Sequence, residues 1–295
     1  MTLTPTFDPP PPKVGDHILI SFPTDNILLG KPTSLPGDSN LTRQAIVTLN
    51  RPSSMNCVST EGHIQLTSIW EWYDSTPSLR CAIVTGARIP QKRAAFCAGA
   101  DLKEWNLVPG RARPPADGGF AGLSGRRGKK PVISAVHGIC FGGGLEAAGN
   151  TDLILAHSES VFALPETSRG VVAISGLLPR LALIVGMQRA SELALTGRVL
   201  SAHEAQSWGL VNEVVDGDVV ERAIEVARKI VGMSPDSVIV SRAALRGAWD
   251  GAGVDDAATK VENGVWKQLQ AGENIQEGLR AFVEKREAKW VASKL

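Results

Sequence analysis

The chain of 295 residues has little of several features that would assign a protein to a class. No apolar run approaches the ~20 residues that a membrane-spanning helix needs, which argues against a membrane protein. The formal net charge is only +1 and aromatic residues make up 5% of the chain. The sequence therefore lacks both the basic charge and the stripe of basic and aromatic residues that would indicate nucleic-acid binding. What remains is an ordinary globular composition, 43% hydrophobic and 21% charged.

Cysteines are few and widely separated. The four of them are Cys57, Cys81, Cys97 and Cys140, and no two have the spacing of a metal site. We therefore expect free thiols in a reducing compartment and no metal centre. The first 12 residues also lack the basic segment and apolar run of a secretory signal.

The last three residues carry a positive signal of location. Ser293, Lys294 and Leu295 form the tripeptide Ser-Lys-Leu, which at a C-terminus is an address read by the peroxisomal import receptor. Chance rarely places one specified tripeptide at one specified position. We therefore predict a peroxisomal protein that has this receptor as a partner.

Two strand–turn–helix units indicate where a ligand binds. The first spans residues 79–105, where a buried strand leads through small residues into a helix at Asp101. The second spans residues 131–148, where a β-branched strand leads through the glycines at 142–144 into a helix that carries Glu146. Glycine allows positive φ and close approach of the backbone to a ligand. Because a helix start also offers unpaired N–H groups, the pattern predicts a site for a negatively charged oxygen.

The remaining elements frame these two units. Residues 1–13 contain four consecutive prolines and predict a flexible lead-in. Strands are predicted at 17–20, 45–49, 152–156 and 161–164, the first two able to pair as a hairpin, and helices at 58–73, 201–209, 217–232, 235–249, 254–270 and 274–290. The chain is therefore predicted to be an α/β protein with an all-helical C-terminal part.

Residues 106–130 connect the two units and resist a helical assignment because of their prolines. This stretch is either a mobile loop bordering the site or a surface insertion. Arg126, Arg127, Lys129 and Lys130 form a basic cluster at its end. The cluster predicts either a phosphate contact or a solvated charged turn.

At this point three motifs resemble those of a known family. They are Phe-Cys-Ala-Gly-Ala-Asp-Leu-Lys at 96–103, Gly-Gly-Gly-Leu-Glu at 142–146, and Pro165-Glu166. In this order they resemble the enoyl-CoA hydratase/isomerase, or crotonase, superfamily. Asn50-Arg51-Pro52, residues 201–214 and residues 282–286 are similar to further landmarks of that family. The resemblance extends from about residue 14 to 292, nearly the whole chain.

The resemblance implies a fold and an assembly. The fold would be a spiral of ββα turns over residues 14–200, followed by a helical C-terminal region over residues 201–292. That region would drive association into homotrimers, often paired as dimers of trimers. The flexible tail at 1–13 and the peroxisomal tripeptide at 293–295 would lie outside both parts.

The resemblance also implies a reaction, the hydration of a 2-enoyl-CoA thioester or its reverse. The backbone N–H groups of Ala100 and Gly143 would form an oxyanion hole for the thioester carbonyl. Glu146 would orient and activate the water, and Glu166 would deliver the proton to C2. Two carboxylates around one water can serve as the acid and the base of such a reaction.

Five further residues match the family's positions for coenzyme A. They are Met55, Ala98, Lys103, Phe282 and Lys285. The coenzyme A is part of the substrate, and the pattern implies no metal and no separate cofactor.

One departure and several alternatives bear on the reaction. Ile174 stands where a glycine often lines the water side of the family's site, so its bulk is expected to narrow the pocket or shift the water. A Δ3-Δ2 enoyl-CoA isomerase is the first alternative, although such isomerases commonly keep only the glutamate matching Glu166. A thioester hydrolase and a non-catalytic CoA- or RNA-binding homologue are the others.

Overall fold

The computed structural model describes residues 7–21, 44–90, 92–107, 118–251 and 253–295. The strands are β1 (Ile18–Ser21), β2 (Gln44–Leu49), β3 (Cys81–Gly86), β4 (Ala95–Cys97), β5 (Val132–Val136), β6 (Ile139–Phe141), β7 (Leu153–His157), β8 (Val161–Ala163), β9 (Leu200–Ser201) and β10 (Glu213–Val215). The helices are α1 (Thr60–Ser75), α2 (Leu102–Leu107), α3 (Gly143–Ala148), α4 (Leu177–Val185), α5 (Met187–Thr196), α6 (Ala202–Ser207), α7 (Val219–Val231), α8 (Pro235–Trp249), α9 (Val254–Asn263), α10 (Val265–Gln270) and α11 (Glu273–Glu284). Short 3₁₀ turns cover Pro52–Ser54, Phe120–Gly122 and Pro165–Arg169.

In the described part of the chain the strands form two sheets. The larger has the order β1-β2-β3-β5-β7-β10 and the smaller the order β4-β6-β8-β9. The pairs β2–β3, β3–β5, β5–β7 and β7–β10 are parallel, whereas β1 pairs antiparallel with β2. The predicted N-terminal hairpin is therefore confirmed.

The chain alternates between the sheets in a regular spiral. It runs from β3 to β4 and α2, from β5 to β6 and α3, and from β7 to β8 and the turn Pro165–Arg169. The crossing from β5 to β6 needs Gly138, which has φ +66° and would bring a Cβ within 2.0 Å of the Ala94 carbonyl oxygen. The predicted α/β class and the spiral of ββα turns are confirmed.

Alternating residues of the larger sheet bury two separate cores. Ala82 and Val84 face the smaller sheet, while Cys81 and Ile83 face α7 on the opposite side. Since α7 covers this sheet and β10 extends it, residues 213–231 belong to the spiral body. The division at residue 201 between the spiral core and the C-terminal helical region stays a prediction.

The cysteines lie inside this framework as free thiols. Cys81, Cys97 and Cys140 are buried, and Cys57 is half-buried. Burial raises the pKa of all four thiols, that of Cys97 to about 12.

Part of the predicted flexible tail packs against α1. The ring of Phe7 meets Trp72 edge-on with centroids 5.6 Å apart. The Trp72 indole nitrogen donates to the Pro9 carbonyl oxygen at 2.8 Å. Packing therefore begins before residue 13, while residues 1–6 lie outside the described chain.

Two members of the predicted basic cluster are buried structural cations. Arg126 donates to both carboxylate oxygens of Asp74 at 2.7 Å. Lys130 donates to the carbonyl oxygens of Tyr73 and Thr76 at 2.8 and 2.5 Å, and its burial lowers its pKa to about 7. These two residues thus form neither a phosphate site nor a solvated turn. Residues 108–117 of the predicted loop lie outside the described residues.

The C-terminal helices are shorter than predicted. The helix expected over 254–270 breaks at Gly264, and α11 ends at Glu284 because Lys285 is left-handed with φ 53°. The chain then folds back, and Arg80 donates to the carbonyl oxygens of Trp290 and Val291. Among the described helices, none has the length and hydrophobicity to cross a membrane.

Candidate active site

The smaller sheet brings three sequence motifs to one edge. Its strands β4, β6 and β8 are parallel neighbours, with Cys97 beside Cys140 and Phe141 beside Ala163. The carboxyl ends of parallel strands lie at the same edge, where α/β proteins place ligands. The residues that follow these strands, Ala100, Gly143 and Glu166, therefore line one cleft.

The cleft is large and has distinct walls. Its volume is about 1230 Å³, above the upper end of the range of roughly 300–1,000 Å³ that is usual for small-ligand sites. One wall is apolar and carries Val171, Val172 and Ile174. Arg93 and Lys103 are among the cations that border it. A long ligand with an apolar end and an anionic end suits this shape.

The Ala100 amide is left free by the way its neighbours pair. Val58 donates to the Gly99 carbonyl oxygen at 3.0 Å, and the Asp101 amide donates to the Val58 carbonyl oxygen at 3.1 Å. Consecutive groups of an extended chain alternate in direction, so the Ala100 N–H points away from Val58. Among the described residues, none accepts a hydrogen bond from it.

The Gly143 amide is the second free donor. It is the first residue of α3, where backbone N–H groups have no partner within the helix. A Cβ built on Gly99 would lie 3.4 Å from the Gly143 nitrogen, so the two donor segments are in contact. A Cβ on Gly143 itself would lie 2.3 Å from ring carbons of Phe120. Only glycine therefore fits between Phe120 and the cleft.

Glu146 is the buried carboxyl of the site. It lies in the first turn of α3 and is only 3% exposed. The Ser175 backbone amide donates to its Oε1 at 2.7 Å. Burial raises the pKa of Glu146 to about 7, and the Glu166 carboxylate acts in the same direction, whereas the Ser175 hydrogen bond opposes it. The group is therefore able to gain or lose a proton near neutral pH.

Glu166 approaches the same edge from the turn Pro165–Arg169. A Cβ on Gly142 would lie 2.8 Å from Glu166 Oε1, so the side chain passes close over the glycines. Its Oε2 is buried, and no group of the described residues donates a hydrogen bond to it. Burial raises the pKa of Glu166, while its own backbone amide and Arg169 act in the opposite direction.

The residues predicted to bind coenzyme A separate into two groups. Met55, Ala98 and Lys103 line the cleft, and the Ala98 amide donates to the Met55 carbonyl oxygen at 3.0 Å. Phe282 and Lys285 do not line it. Phe282 is 85% exposed on α11, and Lys285 ends that helix. Within one chain the structure thus brings together the first three residues but not the last two.

Three residues that contribute to the site were not predicted. The Ser175 amide donates to Glu146, and the Phe120 ring packs against Gly143. The Ser124 hydroxyl is hydrogen-bonded to the backbone of both Phe120 and Ser175. The glycines at 118, 119, 122 and 125 were the only local signal, since four glycines in eight residues indicate a tight, constrained turn.

The raised pKa of Glu146 predicts a cost in stability. A carboxyl whose pKa rises from 4.5 to about 7 on folding stabilises the folded state less as the pH increases between those values. Replacing Glu146 by Gln keeps an acceptor for Ser175 and removes the charge. We expect this variant to be more stable than the parent at pH 8 by up to about 3 kcal/mol, and no more stable at pH 4.5.

Urea unfolding at the two pH values measures this difference. The exposed Glu159→Gln is the control and is expected to leave stability unchanged at both. A gain for Glu146→Gln that is equal at both pH values would contradict a titration effect.

Comparison with known proteins decides the family. The enoyl-CoA hydratase/isomerase family model matches residues 43–293. The chain belongs to the enoyl-CoA hydratase/isomerase family. The predicted family, fold and enzyme class are thereby confirmed.

Individual members of the family are similar over nearly the full chain. The mevalonyl-coenzyme A hydratase of Beauveria bassiana is 48% identical over 302 aligned positions, covering 98% of this chain and all of that protein. The mevalonyl-coenzyme A hydratase of Aspergillus fumigatus is 43% identical, covering 94% and 96%. The carnitinyl-CoA dehydratase of Escherichia coli K12 is 36% identical, covering 83% and 93%.

Solved structures agree with these sequences. The crystal structure of an enoyl-CoA hydratase from Mycobacterium tuberculosis superposes on this chain with a TM-score of 0.77 at 29% identity. The superposition covers 95% of this chain and all of the mycobacterial one. A probable enoyl-CoA hydratase/isomerase from Mycobacterium abscessus gives 0.77 at 32% identity, covering 94% and 99%.

Proposed function

We propose that this enzyme interconverts mevalonyl-CoA and the corresponding 2-enoyl-CoA by removing or adding water. Hydration or dehydration of an acyl-CoA is the activity of the family at a coarser level. The observation that carries the proposal is the cleft edge itself. There Glu146 and Glu166, both with a raised pKa, lie beside the free amides of Ala100 and Gly143.

Each group has a defined part in the proposed hydration. The amides of Ala100 and Gly143 hold the thioester oxygen, on which negative charge grows as water adds to C3. Donors fixed in advance for such a charge are worth roughly 2.7–4 kcal/mol each in well-measured cases. Glu146 takes a proton from the water, and Glu166 gives a proton to C2.

Proton balance requires both carboxyls to change their protonation state in every turnover. After hydration Glu146 holds a proton and Glu166 has lost one, so a proton returns to Glu166 before the next turnover. Dehydration uses the reverse arrangement, in which Glu166 removes the C2 proton and Glu146 protonates the leaving hydroxyl. Two carboxyls whose pKa values are both raised can exchange these roles at little cost.

The acyl group is proposed from the relatives and from the cleft wall. The mevalonyl group is short, branched at C3 and hydroxylated at C3 and C5. The β-branched side chains of Val171, Val172 and Ile174 form a bulky wall along the cleft. The two relatives named for this acyl group are 48% and 43% identical to the chain, which supports the same substrate class here.

An acyl-CoA panel tests this function. Purified protein is given mevalonyl-CoA, 3-hydroxybutyryl-CoA and carnitinyl-CoA, and formation of the conjugated enoyl thioester is followed by its absorbance. We expect the highest kcat/KM with mevalonyl-CoA. Equal or better turnover of 3-hydroxybutyryl-CoA would contradict the acyl assignment. Conversion of a 3-enoyl-CoA without water uptake, or release of free thiol, would favour the isomerase or the thioester hydrolase.

Ile174 is expected to set the length of acyl group that fits. Its side chain is 65% exposed on the cleft wall, directly before the Ser175 amide that binds Glu146. The Ile174 side chain therefore narrows the cleft without covering the carboxyl group of Glu146. We expect Ile174→Gly to raise relative kcat/KM for enoyl-CoA thioesters of six or more carbons by about tenfold, the effect of roughly one or two methylenes.

A panel of 2-enoyl-CoA thioesters of graded chain length measures this shift. Ile174→Val is the matched control, since it keeps the β-branch and should remain close to the parent. A uniform loss with every chain length would show that Ile174 only supports the backbone.

Location, cofactor use and assembly complete the proposal. The Ser293–Leu295 tripeptide supports recognition by the peroxisomal import receptor and hence a peroxisomal location. The reaction needs only carboxyls and backbone amides, so we propose that no cofactor takes part. The exposed side chains of Leu279, Phe282 and Val283 on α11 support a homotrimer or a dimer of trimers.

A further inference from the structure

We propose that Ser124 is a positioning residue that keeps Glu146 and the Gly143 oxyanion donor at a fixed position relative to each other. This inference rests on the proposed function. Ser124 is fully buried. Its hydroxyl accepts a hydrogen bond from the Phe120 amide at 2.6 Å and donates one to the Ser175 carbonyl oxygen at 2.8 Å. One oxygen atom therefore joins two segments that are 55 residues apart along the chain.

The first arm of this link ends on the oxyanion donor. The Phe120 ring packs directly against Gly143, leaving no room even for a methyl group. The turn that carries Phe120 is strained, because Ala121 has φ 55° without being glycine. His63 Nδ1 accepts a hydrogen bond from the Ala121 amide at 2.9 Å. The Trp70 indole nitrogen donates to the Ala121 carbonyl oxygen at 3.0 Å. The turn is thus held rigidly behind the first turn of α3.

The second arm ends on the acid–base carboxyl. Ser175 receives the Ser124 hydroxyl at its carbonyl oxygen and donates its amide to Glu146 Oε1 at 2.7 Å. Of the neighbouring residues, Val172 and Ile174 are 63% and 65% exposed, whereas Ala173 and Leu177 are buried in the core. Burial therefore fixes the ends of this segment, and the hydrogen bond from Ser124 fixes the Ser175 peptide between them.

A second tie joins the same segments but leaves the Phe120 amide untouched. Arg180 donates to the backbone carbonyl oxygens of Ser124 and Gly176 at 2.7 and 3.1 Å. This tie keeps the segments near each other when the hydroxyl is removed. We therefore expect replacement of Ser124 by alanine to let the Phe120 and Ser175 segments shift while the site stays folded.

A hydroxyl suits this place because it accepts and donates at once. Alanine at 124 would leave the buried Phe120 N–H and Ser175 C=O without their partner. Cysteine keeps a weak donor and acceptor at the same point. Ser124→Ala and Ser124→Cys are therefore the informative pair. Ser160→Ala is the matched control, since Ser160 is 1% exposed and its hydroxyl donates to the Val136 carbonyl oxygen, outside the cleft.

We expect Ser124→Ala to lower kcat by up to about 100-fold, the loss that follows when reacting groups move by roughly 1 Å. KM should change little, because Met55, Ala98 and Lys103, the cleft residues predicted to bind coenzyme A, belong to other segments. The acidic limb of the pH–kcat profile should move to higher pH, since loss of the Ser175 hydrogen bond favours protonated Glu146. Ser124→Cys should show a smaller shift in the same direction, and Ser160→Ala none.

Two measurements make the result independent of turnover. Carbon-13 NMR of the glutamate carboxyls, assigned with Glu146→Gln, gives the pKa of Glu146 directly. The near-ultraviolet absorbance of bound acetoacetyl-CoA reports how strongly the oxyanion hole favours its enolate. We expect Ser124→Ala to raise that pKa and to reduce the enolate fraction.

The outcomes separate the two proposals. An inactive parent enzyme would overturn the proposed function, while the NMR pKa would still decide the role of Ser124. A parent-like pKa and enolate fraction in Ser124→Ala would overturn the inference, as would changes equal to those in Ser160→Ala. If Ser124→Ala does not fold, Ser124→Cys decides, and a parent-like pKa in it overturns the inference.

Discussion

Replacing Glu166 by Gln is expected to lower kcat about 10²- to 10⁴-fold, the usual contribution of a positioned acid or base. Glutamine keeps the size of the side chain but has no proton to give to C2. Glu166 Oε2 is buried and receives no hydrogen bond from the described residues, so none of these residues is placed at that oxygen to supply the proton instead. KM should stay close to that of the parent, because the substitution leaves the two oxyanion donors in place.

Glu146→Gln should cause a loss of similar size with a different pH signature. In the parent, hydration should fall as the pH drops through about 7, because Glu146 must be ionised to accept a proton. In Glu146→Gln that dependence should disappear. The double variant should be little worse than either single variant, since the two carboxyls act as a unit.

Measurement of kcat for hydration across the pH range, in a discontinuous assay, tests both variants. Glu159→Gln removes an exposed carboxyl from the turn between β7 and β8 and should behave as the parent. Full activity in either active-site variant would refute the acid–base pair. Losses confined to KM would instead assign the carboxyls to binding.

Gly143→Ala is expected to have the second large effect, a fall in kcat of about 10²- to 10³-fold. The new Cβ would lie 2.3 Å from the Phe120 ring, so either the ring or the first turn of α3 must move. Movement of that turn carries the Gly143 amide away from the thioester oxygen. The donor remains present but no longer points at the place where charge develops.

Two further variants locate the cause of that loss. Gly217→Ala serves as the control, because nothing lies within 4 Å of its Cβ position. Gly143→Ala combined with Phe120→Leu should recover part of the activity by making room for the methyl group. Parent-like kcat in Gly143→Ala would show that this amide is not an oxyanion donor.

Much of the site follows from sequence because it is built from strand ends. A strand followed by small residues and a helix start predicts an anion-binding turn by local chemistry alone, as at Ala100 and Gly143. Glu166 needed the family motif as well, since a lone carboxylate after Pro165 carries no chemical signature. The smaller sheet was recognised only in part, because β4, β6 and β8 have three residues each. Three residues are too few to show an alternating pattern.

Other features depend on partners that are distant in sequence. Nothing near Ser124 or Ser175 shows that their backbone and hydroxyl groups will meet. For Arg126 and Lys130 the sequence predicts a phosphate contact or a charged turn, because their actual partners, Asp74 and carbonyl groups at the end of α1, lie more than 50 residues away along the chain. Phe282 and Lys285 lie on an exposed helix, so one chain alone does not place them at the cleft.

The buried sulfur atoms have a consequence for chemical durability. Peroxide attacks a thiolate and not a protonated thiol. Burial holds the pKa of Cys57, Cys81, Cys97 and Cys140 above the ordinary value, so at neutral pH each keeps its proton. Neither proposed acid–base group is a sulfur. Cys57 lines the cleft and is half-buried, whereas Cys97 and Cys140 are closed to solvent. The four thiols are therefore expected to react slowly with hydrogen peroxide at neutral pH.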